Sequence, residues 1–485
     1  MVVATCLVAA GAVYAYARYR IDSIRTVAAP HLTVTAPGAK DSAAGLEPEN
    51  ILLIGNETRA GLTNPTEIAR YGSPQEFSGS LSDVIMILHL DPAKQTASIL
   101  SIPRDLFLPM PPDSPVGPYQ KIDAALNDGV NGPDNLIQAI TDDLGIPINH
   151  YVELEFDGFE NTVNALSGIN VDFPEPVFDA YSQLNITTTG CVHLNGTRAL
   201  ALVRARHLQY DPPGDTAPER DWPYDPESDL SRIARDHTFL RVLASTAESR
   251  GLSNPLTLNA FIEDVIDQIT IDPGLKSQLI SLATHYRHID PNTIPETTLP
   301  ITEVGGSTGY YYEGADIGDV DFPDQPADNQ VIAAWDDTAL PTSIAPAAVD
   351  VYNITDTYQL AADTAKSLQA DGLPATSRAG GIVPAGTSET FVQYPPEGLA
   401  QAQAVMDHLA GAVMLDPDST IPTGTIRLEV GSTVSVLPPV RATSPTVAGP
   451  GTQAATTTVP TPGGQKPSSS TDQLEPWDPT PCPAS

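Results

Sequence analysis

From Asn50 onward, short apolar runs alternate with turn residues. "NILLIG" (50–55) predicts a buried strand ending at Gly55, with Glu57 and Arg59 just beyond it. The nearly continuous apolar runs "VIMILHL" (84–90) and "TASILSI" (96–102) have strand length, and "DPAKQ" between them is a turn. Together they predict an antiparallel hairpin. "GPDNLIQAITDDLG" (132–145) predicts a helix with Pro133 at its start, Gly145 past its end, and Leu136, Ile140 and Leu144 on one face. "HYVELEF" (150–156) alternates Val152, Leu154 and Phe156 with Tyr151, Glu153 and Glu155, the pattern of a half-buried strand. A short helix over 159–166 should stop at Ser167-Gly168, before a strand over 169–173. Residues 228–249 predict a helix of about five turns with Ile233, Leu240 and Leu243 inward. Interleaved strands and helices imply an α/β or α+β layered domain.

This patterning divides the chain. Val2–Ala17 is uncharged and reaches the lower limit for a membrane span, so residues 1–17 are expected to be a single membrane anchor. Arg18, Arg20 and Arg25 follow it; by the positive-inside rule they keep the main body cytoplasmic unless a basic leader precedes Met1. Residues 18–47 are expected to be a linker, 48–302 the main domain, 303–345 a Gly-, Asp- and Pro-rich linker or long loop, and 346–440 a second unit. That second unit is expected to fold by itself and to carry no catalytic group. The Pro/Thr/Ser/Gly-rich tail, 441–485, is expected to be disordered.

Charge narrows the function. Twenty-four Lys and Arg against 60 Asp and Glu give a net charge of −36 over 485 residues. Nucleic acid is thereby disfavoured as a partner, because duplex binding needs a basic face to displace counterions. An acidic chain can still bind an anion where its few arginines gather. Of the three cysteines, Cys6, Cys191 and Cys482, unpaired thiols are the favoured reading, with a Cys191–Cys482 bridge the alternative in an oxidising compartment. The nine histidines show no metal-ligating spacing, and no Walker or Rossmann glycine pattern occurs.

Three places concentrate candidate chemistry. With the hairpin turn centred near Ala93, Asp83 lies across from Pro103, which brings Asp83 and Arg104 to one end of the sheet. A simple surface ion pair is the plainer reading of that match. "VRARH" (203–207) carries Arg204 and Arg206. Two residues apart on a strand they share a face, whereas on a helix they diverge by about 200°, so joint action requires an extended segment. The pair either holds an anion or is split between separate carboxylates, and the residues alone leave both open. Finally, Glu57 and Asp83, each at a strand end, could share a divalent cation, and Arg232 and Arg235 lie one helical turn apart nearby in the pattern.

Six blocks in order carry a resemblance: "NILLIGNETR", "SDVIMILHLDPAKQTASILSIPRD", "YQKIDAALNDG", "NHYVELEFDGFENTVNALSGINVDF", "HLNGTRALALVRARH" and "SRIARDHTFL". Over about residues 48–302 the chain resembles the LytR–CpsA–Psr family, and 346–440 resembles the small C-terminal domain that often follows it. The resemblance implies a layered α/β (α+β) domain with a central mixed sheet flanked by helices, then a small α/β C-terminal domain. It implies a single-pass protein of the cytoplasmic membrane, with the bulk of the chain extracytoplasmic. The implied activity is a Mg²⁺- (or Mn²⁺-) dependent phosphotransferase that moves a glycopolymer from a polyprenyl-pyrophosphate carrier to a peptidoglycan hydroxyl. Carried over, Glu57 and Asp83 are the metal carboxylates, and Arg104, Asp105, Arg204 and Arg206 the catalytic set. Arg59, Lys121, Arg232 and Arg235 support substrate binding. The family's first motif usually has Asp at the position of Glu57, and Asn at that of Asp123. A lipid-pyrophosphate hydrolase and a non-catalytic lipid-linked glycan-binding scaffold are the alternatives.

Overall fold

The computed structural model describes residues 19–34, 47–58, 80–212, 214, 217–226, 228–250, 269–286, 288–305, 309–312, 314–324, 327–337, 347–380, 388–437 and 474–483. The anchor expected over 1–17 and Arg59 lie outside them. Among the described residues no helix is long and apolar enough to cross a membrane.

Seven strands form a mixed sheet in the order Arg25–Thr26, Ile269–Ile271, His150–Glu155, Glu49–Thr58, Ser80–Asp91, Thr96–Ser101, Glu296–Thr298. Period-two patterning divides its side chains between two cores. Leu52, Ile54, Ile85 and Ile87 pack against Leu136, Ile137, Ile140 and Leu144 of the Gly132–Leu144 helix. On the other face Ile51 and Leu90 meet Leu275 and Leu282 of the Pro273–Tyr286 helix. A third core joins the Ile169–Phe173 strand to the Gly196–Val203 and Ser228–Ser249 helices. On the last of these, Ile233, Phe239 and Val242 are buried, while Leu240 and Leu243 are only half-buried. The inward face is therefore rotated from the expected one.

A second mixed sheet of five strands follows, in the order Ala375–Ser377, Ala348–Asn353, Thr425–Val430, Thr390–Tyr394, Val413–Pro417. The Leu360–Ala370 and Leu399–Met406 helices complete its core. This unit does not stand apart from the first. Phe107, Tyr310, Val320 and Phe322 share a buried cluster with Ile354, Phe391, Ala412 and Met414, and Tyr119 packs on Phe391 with ring centres 5.2 Å apart.

Five expectations are corrected. Residues 303–345 are not simply a linker: they contain the Tyr310–Tyr312, Ala315–Gly318 and Val320–Pro323 strands and the Ala327–Trp335 helix, whose Trp335 joins the main core. Aromatic residues spaced among Gly and Asp supply that packing. The tail is ordered over its described part: Thr480–Pro481 pairs antiparallel with Asp172 and Val171. Cys191 and Cys482 are joined in a disulfide rather than unpaired, 291 residues apart. The segment carrying Arg204 and Arg206 is not the extended one that sharing a face requires: "ALALVRARH" is the end of the Gly196–Val203 helix and the turn after it, the helix capped at its start where Asn195 accepts from the Arg198 amide. A continuous apolar run has no period with which to separate helix from strand, and the Asn cap decides it. The 18–47 stretch, expected to be a linker, adds Arg25–Thr26 to the edge of the main sheet.

Candidate active site

The site lies where three adjacent strands end together. Glu155 pairs with Asn56, and Asn56 pairs with Ser82. Gly55 pairs with Val84 but Asn56 with Ser82, so Asp83 is the extra residue of a β-bulge. Bulges re-aim side chains, and here the bulge carries the carboxylate. A Cβ on Gly55 would come within 3.1 Å of the Val84 Cβ, so the close approach at the bulge favours glycine.

On the neighbouring strand the register pairs Met86 with Ser101, and the chain then turns at Pro103–Leu106. Arg104 in that turn reaches back, and its Nη1 donates to Asp83 Oδ1 at 2.6 Å. Both side chains are nearly buried, 10% and 13% exposed. Asp105 follows in the turn, 3.4 Å from Arg104 Nε, and accepts from Lys121 Nζ at 2.7 Å. Lys121 arrives there because the Tyr119–Lys121 strand pairs with Phe107–Pro109, directly after the turn. Burial would raise the Asp105 carboxyl, but Arg104, Lys121 and Arg206 outweigh it and hold it below the usual range.

Asp123 closes the base of the cluster. Its amide donates to the Arg104 carbonyl at 3.2 Å, and its carboxyl is pushed up to about 7 by burial, with Asp105 and Asp83 adding to the shift. Its place two residues after Lys121 in "YQKIDAA" was the available signal; hydropathy alone marks it as nothing special.

Arg206 comes from the turn after the Gly196–Val203 helix and places Nη2 3.9 Å from Asp83 Oδ1. It is the accessible member, 35% exposed. Arg204, at the helix C-cap, instead lays its guanidinium over the Phe156 ring, 4.9 Å from the centroid. Phe156 follows Glu155 at the end of its strand, so Arg204 also stands at this end of the sheet. The two arginines thus act from a helix end and a turn, not from one face of a strand. Phe156 as a platform for Arg204 has no signature in the sequence.

The supporting residues divide. Arg232 is buried on the Ser228–Ser249 helix. Arg235, expected to help hold substrate, has a fully buried side chain ion-paired to Asp225 and Asp478 at 2.9 and 3.0 Å. A guanidinium enclosed in that way cannot touch a ligand in the open site. The Glu57 backbone pairs with Leu81, two residues from Asp83, while its side chain lies outside the described residues.

A hard divalent cation suits this donor chemistry. Mg²⁺ takes one or two carboxylates and completes its shell with phosphate oxygens and water. Asp83 on its bulge, and Glu57 at the position on the facing strand that pairs two residues away, are the carboxylates that would hold such an ion. Among the described residues no three His, Cys, Asp or Glu side chains form a metal cage by themselves. A cavity of about 710 Å³ lies elsewhere, at the turn end of the hairpin beside His89, Lys94 and Trp335.

Residues 22–321 match the LytR_cpsA_psr family, and residues 347–433 match the LytR cell envelope-related transcriptional attenuator. The probable cell wall biosynthesis protein LcpB of Corynebacterium glutamicum is 31% identical over 226 residues, 46% of this chain and 48% of LcpB. The polyisoprenyl-teichoic acid–peptidoglycan teichoic acid transferase TagV of Bacillus subtilis is 31% identical over 241 residues, 48% of this chain and 55% of TagV. The chain spans about half the length of these curated relatives. Among solved structures, the LytR-Csp2A-Psr enzyme from Actinomyces oris aligns with a TM-score of 0.45 at 23% identity, over 64% of this chain and 97% of that one.

Proposed function

We propose that this chain, which belongs to the LytR_cpsA_psr family, is a cell-wall phosphotransferase that moves a glycopolymer from a polyprenyl-pyrophosphate carrier to a peptidoglycan hydroxyl. The observation that carries the reading is the convergence of Arg104 and Arg206 on Asp83 at one sheet end, with Lys121 and Asp105 beside them. TagV, a relative, is a teichoic acid transferase acting between a polyisoprenyl carrier and peptidoglycan. In this reading residues 48–302 form the catalytic unit, Val2–Ala17 anchors it, and the site works on the outer face of the cytoplasmic membrane.

Donor pyrophosphate binds to Arg206 and Arg104, whose planar forks match phosphate oxygens and spread the charge that grows in transfer. Arg204, with its guanidinium over the Phe156 ring, adds a second cation. The acceptor hydroxyl oxygen forms a bond to the phosphorus next to the glycan. The bond from that phosphorus to the bridging oxygen breaks, and polyprenyl monophosphate leaves. The hydroxyl proton passes to Asp105 or Asp83, the carboxylates beside the arginines. Mg²⁺ or Mn²⁺, when bound, would neutralise phosphoryl charge there, with Asp83 and Glu57 as its carboxylates.

The test is incubation of the purified chain with a polyprenyl-pyrophosphate glycan and Mg²⁺, with and without peptidoglycan. Transfer predicts polymer-bound peptidoglycan and little turnover without acceptor. Equal turnover in both arms would assign a hydrolase, and no donor consumption in either would leave only a binding role.

A further inference from the structure

We propose that Asp478, in the C-terminal segment, is a positioning residue for the Arg204–Arg206 turn, acting through Arg235; its significance for catalysis rests on the reading above. Arg235 makes the link. Its Nη1 donates to Asp478 Oδ1 at 3.0 Å and to Asp225 Oδ2 at 2.9 Å, while its Nη2 donates to the Ala205 carbonyl at 2.9 Å. Ala205 is the residue between the two arginines of the site.

The turn is held at two further points. His207 N donates to Asp179 Oδ2 at 3.0 Å, and Asp225 N donates to the Leu208 carbonyl at 2.8 Å. The Ala205 amide donates to the Leu202 carbonyl at 3.1 Å within the helix end, and Arg235 is the side chain among these anchors that grips the Ala205 carbonyl. Its guanidinium is fully buried, and an enclosed cation needs its carboxylates to stay where it is. Asp225 is set by Ser231, whose hydroxyl donates to its Oδ1 at 3.0 Å. Asp478 comes from 243 residues away and is set by the tail.

That tail is fastened on every side of Asp478. Glu475 N donates to Asp478 Oδ2 at 2.9 Å, and the Trp477 ring stacks on Tyr210 at 3.8 Å and 3°. Thr480 pairs with Asp172, and Cys482 is bonded to Cys191. So much fixation of ten residues at the far end of the chain delivers one buried carboxylate to the cation behind the turn. Remove that carboxylate and Arg235 keeps Asp225 alone, free to swing toward it and away from the Ala205 carbonyl. The direction of Arg206 toward Asp83 is then no longer imposed by the backbone.

The test compares full-length D478A, D478N and V242A, the last a core truncation on the Ser228–Ser249 helix that matches lost stability without touching the link. Two quantities are read: the affinity for inorganic pyrophosphate by calorimetry, and amide hydrogen exchange in a peptide spanning 204–208. D478A should weaken pyrophosphate binding about tenfold, a loss of about 1.4 kcal/mol, and accelerate exchange in that peptide. D478N, which keeps an acceptor for Arg235, should recover most of both, and V242A should change neither at equal loss of thermal stability. Unchanged 204–208 exchange in D478A, or equal effects of D478A and V242A, would overturn the proposal. If wild type binds no pyrophosphate while D478A still loosens 204–208, the positioning role stands and the functional reading fails.

Discussion

Asp83 and Arg104 are 21 residues apart in sequence and joined by a 2.6 Å hydrogen bond between nearly buried side chains. The bond is made by a bulge on one strand and a turn after the next, so it fixes a guanidinium at the sheet end before any ligand arrives. Breaking it should hurt more than removing a surface ion pair. Asp83→Ala should destabilise the fold by about 3 kcal/mol, because the nearly buried Arg104 guanidinium loses the carboxylate it holds at 2.6 Å. A loss below about 1 kcal/mol in a denaturant titration would mean that the pair is an ordinary surface bridge.

Phe107 is fully buried where the two units meet, with Tyr310, Tyr312, Tyr119 and Phe322 around it at ring-centre distances of 5.3–6.5 Å. Phe107→Ala should cost about 3–5 kcal/mol. Because Phe391 belongs to the same cluster, cutting the chain at 345 should leave a less stable first unit. Thermal unfolding of that truncation checks it, and an unchanged midpoint would show that the units are energetically separate.

Two buried histidines give stability a pH optimum. His150 lies between Asp272 and Glu49; burial opposes its charge, but the two carboxylates outweigh it and raise it to about 9. Its contribution is therefore complete below its ordinary value of 6.5 and lost as pH rises through about 9. His237 is pushed down to about 4 by burial and Arg241, so its contribution is complete above 6.5 and lost as pH falls toward 4. Melting curves from pH 4 to 10 should peak near neutrality. His150→Gln should flatten the alkaline limb and His237→Gln the acid limb; limbs that stay unaltered would refute the assignment.

The Arg204 guanidinium lies over the Phe156 ring, 4.9 Å from its centroid. Phe156→Leu keeps an apolar side chain but removes the ring face, and should lower pyrophosphate affinity by about 0.5–1 kcal/mol. Calorimetry on the full chain reads it. A change no larger than the fitting error would leave Arg204 outside the anion site.

The hairpin, the buried strand ending at Gly55, the alternation at 150–156 and the helix over 132–145 were legible because their patterns are local. The meeting of Asp83 with Arg104 followed from the hairpin, although the bulge that aims Asp83 did not, since it appears only when the Glu49–Thr58 strand is paired in register. "ALALV" misled because an unbroken apolar run serves helix and strand equally, and Asn195 was the clue to weigh. Tyr310, Tyr312 and Phe322 were hidden in a stretch whose Gly, Asp and Pro read as a loop. Asp478 was beyond reach: its importance comes from Arg235, 243 residues earlier, and no pattern within the tail reports that pairing.

The most direct measurement is kcat/KM for glycopolymer transfer by Arg206→Lys beside wild type, with thermal stability checked to be equal. Arg206 is the exposed arginine facing Asp83, so lysine keeps its charge and loses only the planar fork. A fall of about 10–100-fold, or about 1.4–2.8 kcal/mol of transition-state stabilisation, is the result expected if Arg206 holds the transferring pyrophosphate. Turnover close to wild type would contradict it and leave the convergence of arginines on Asp83 a structural ion pair.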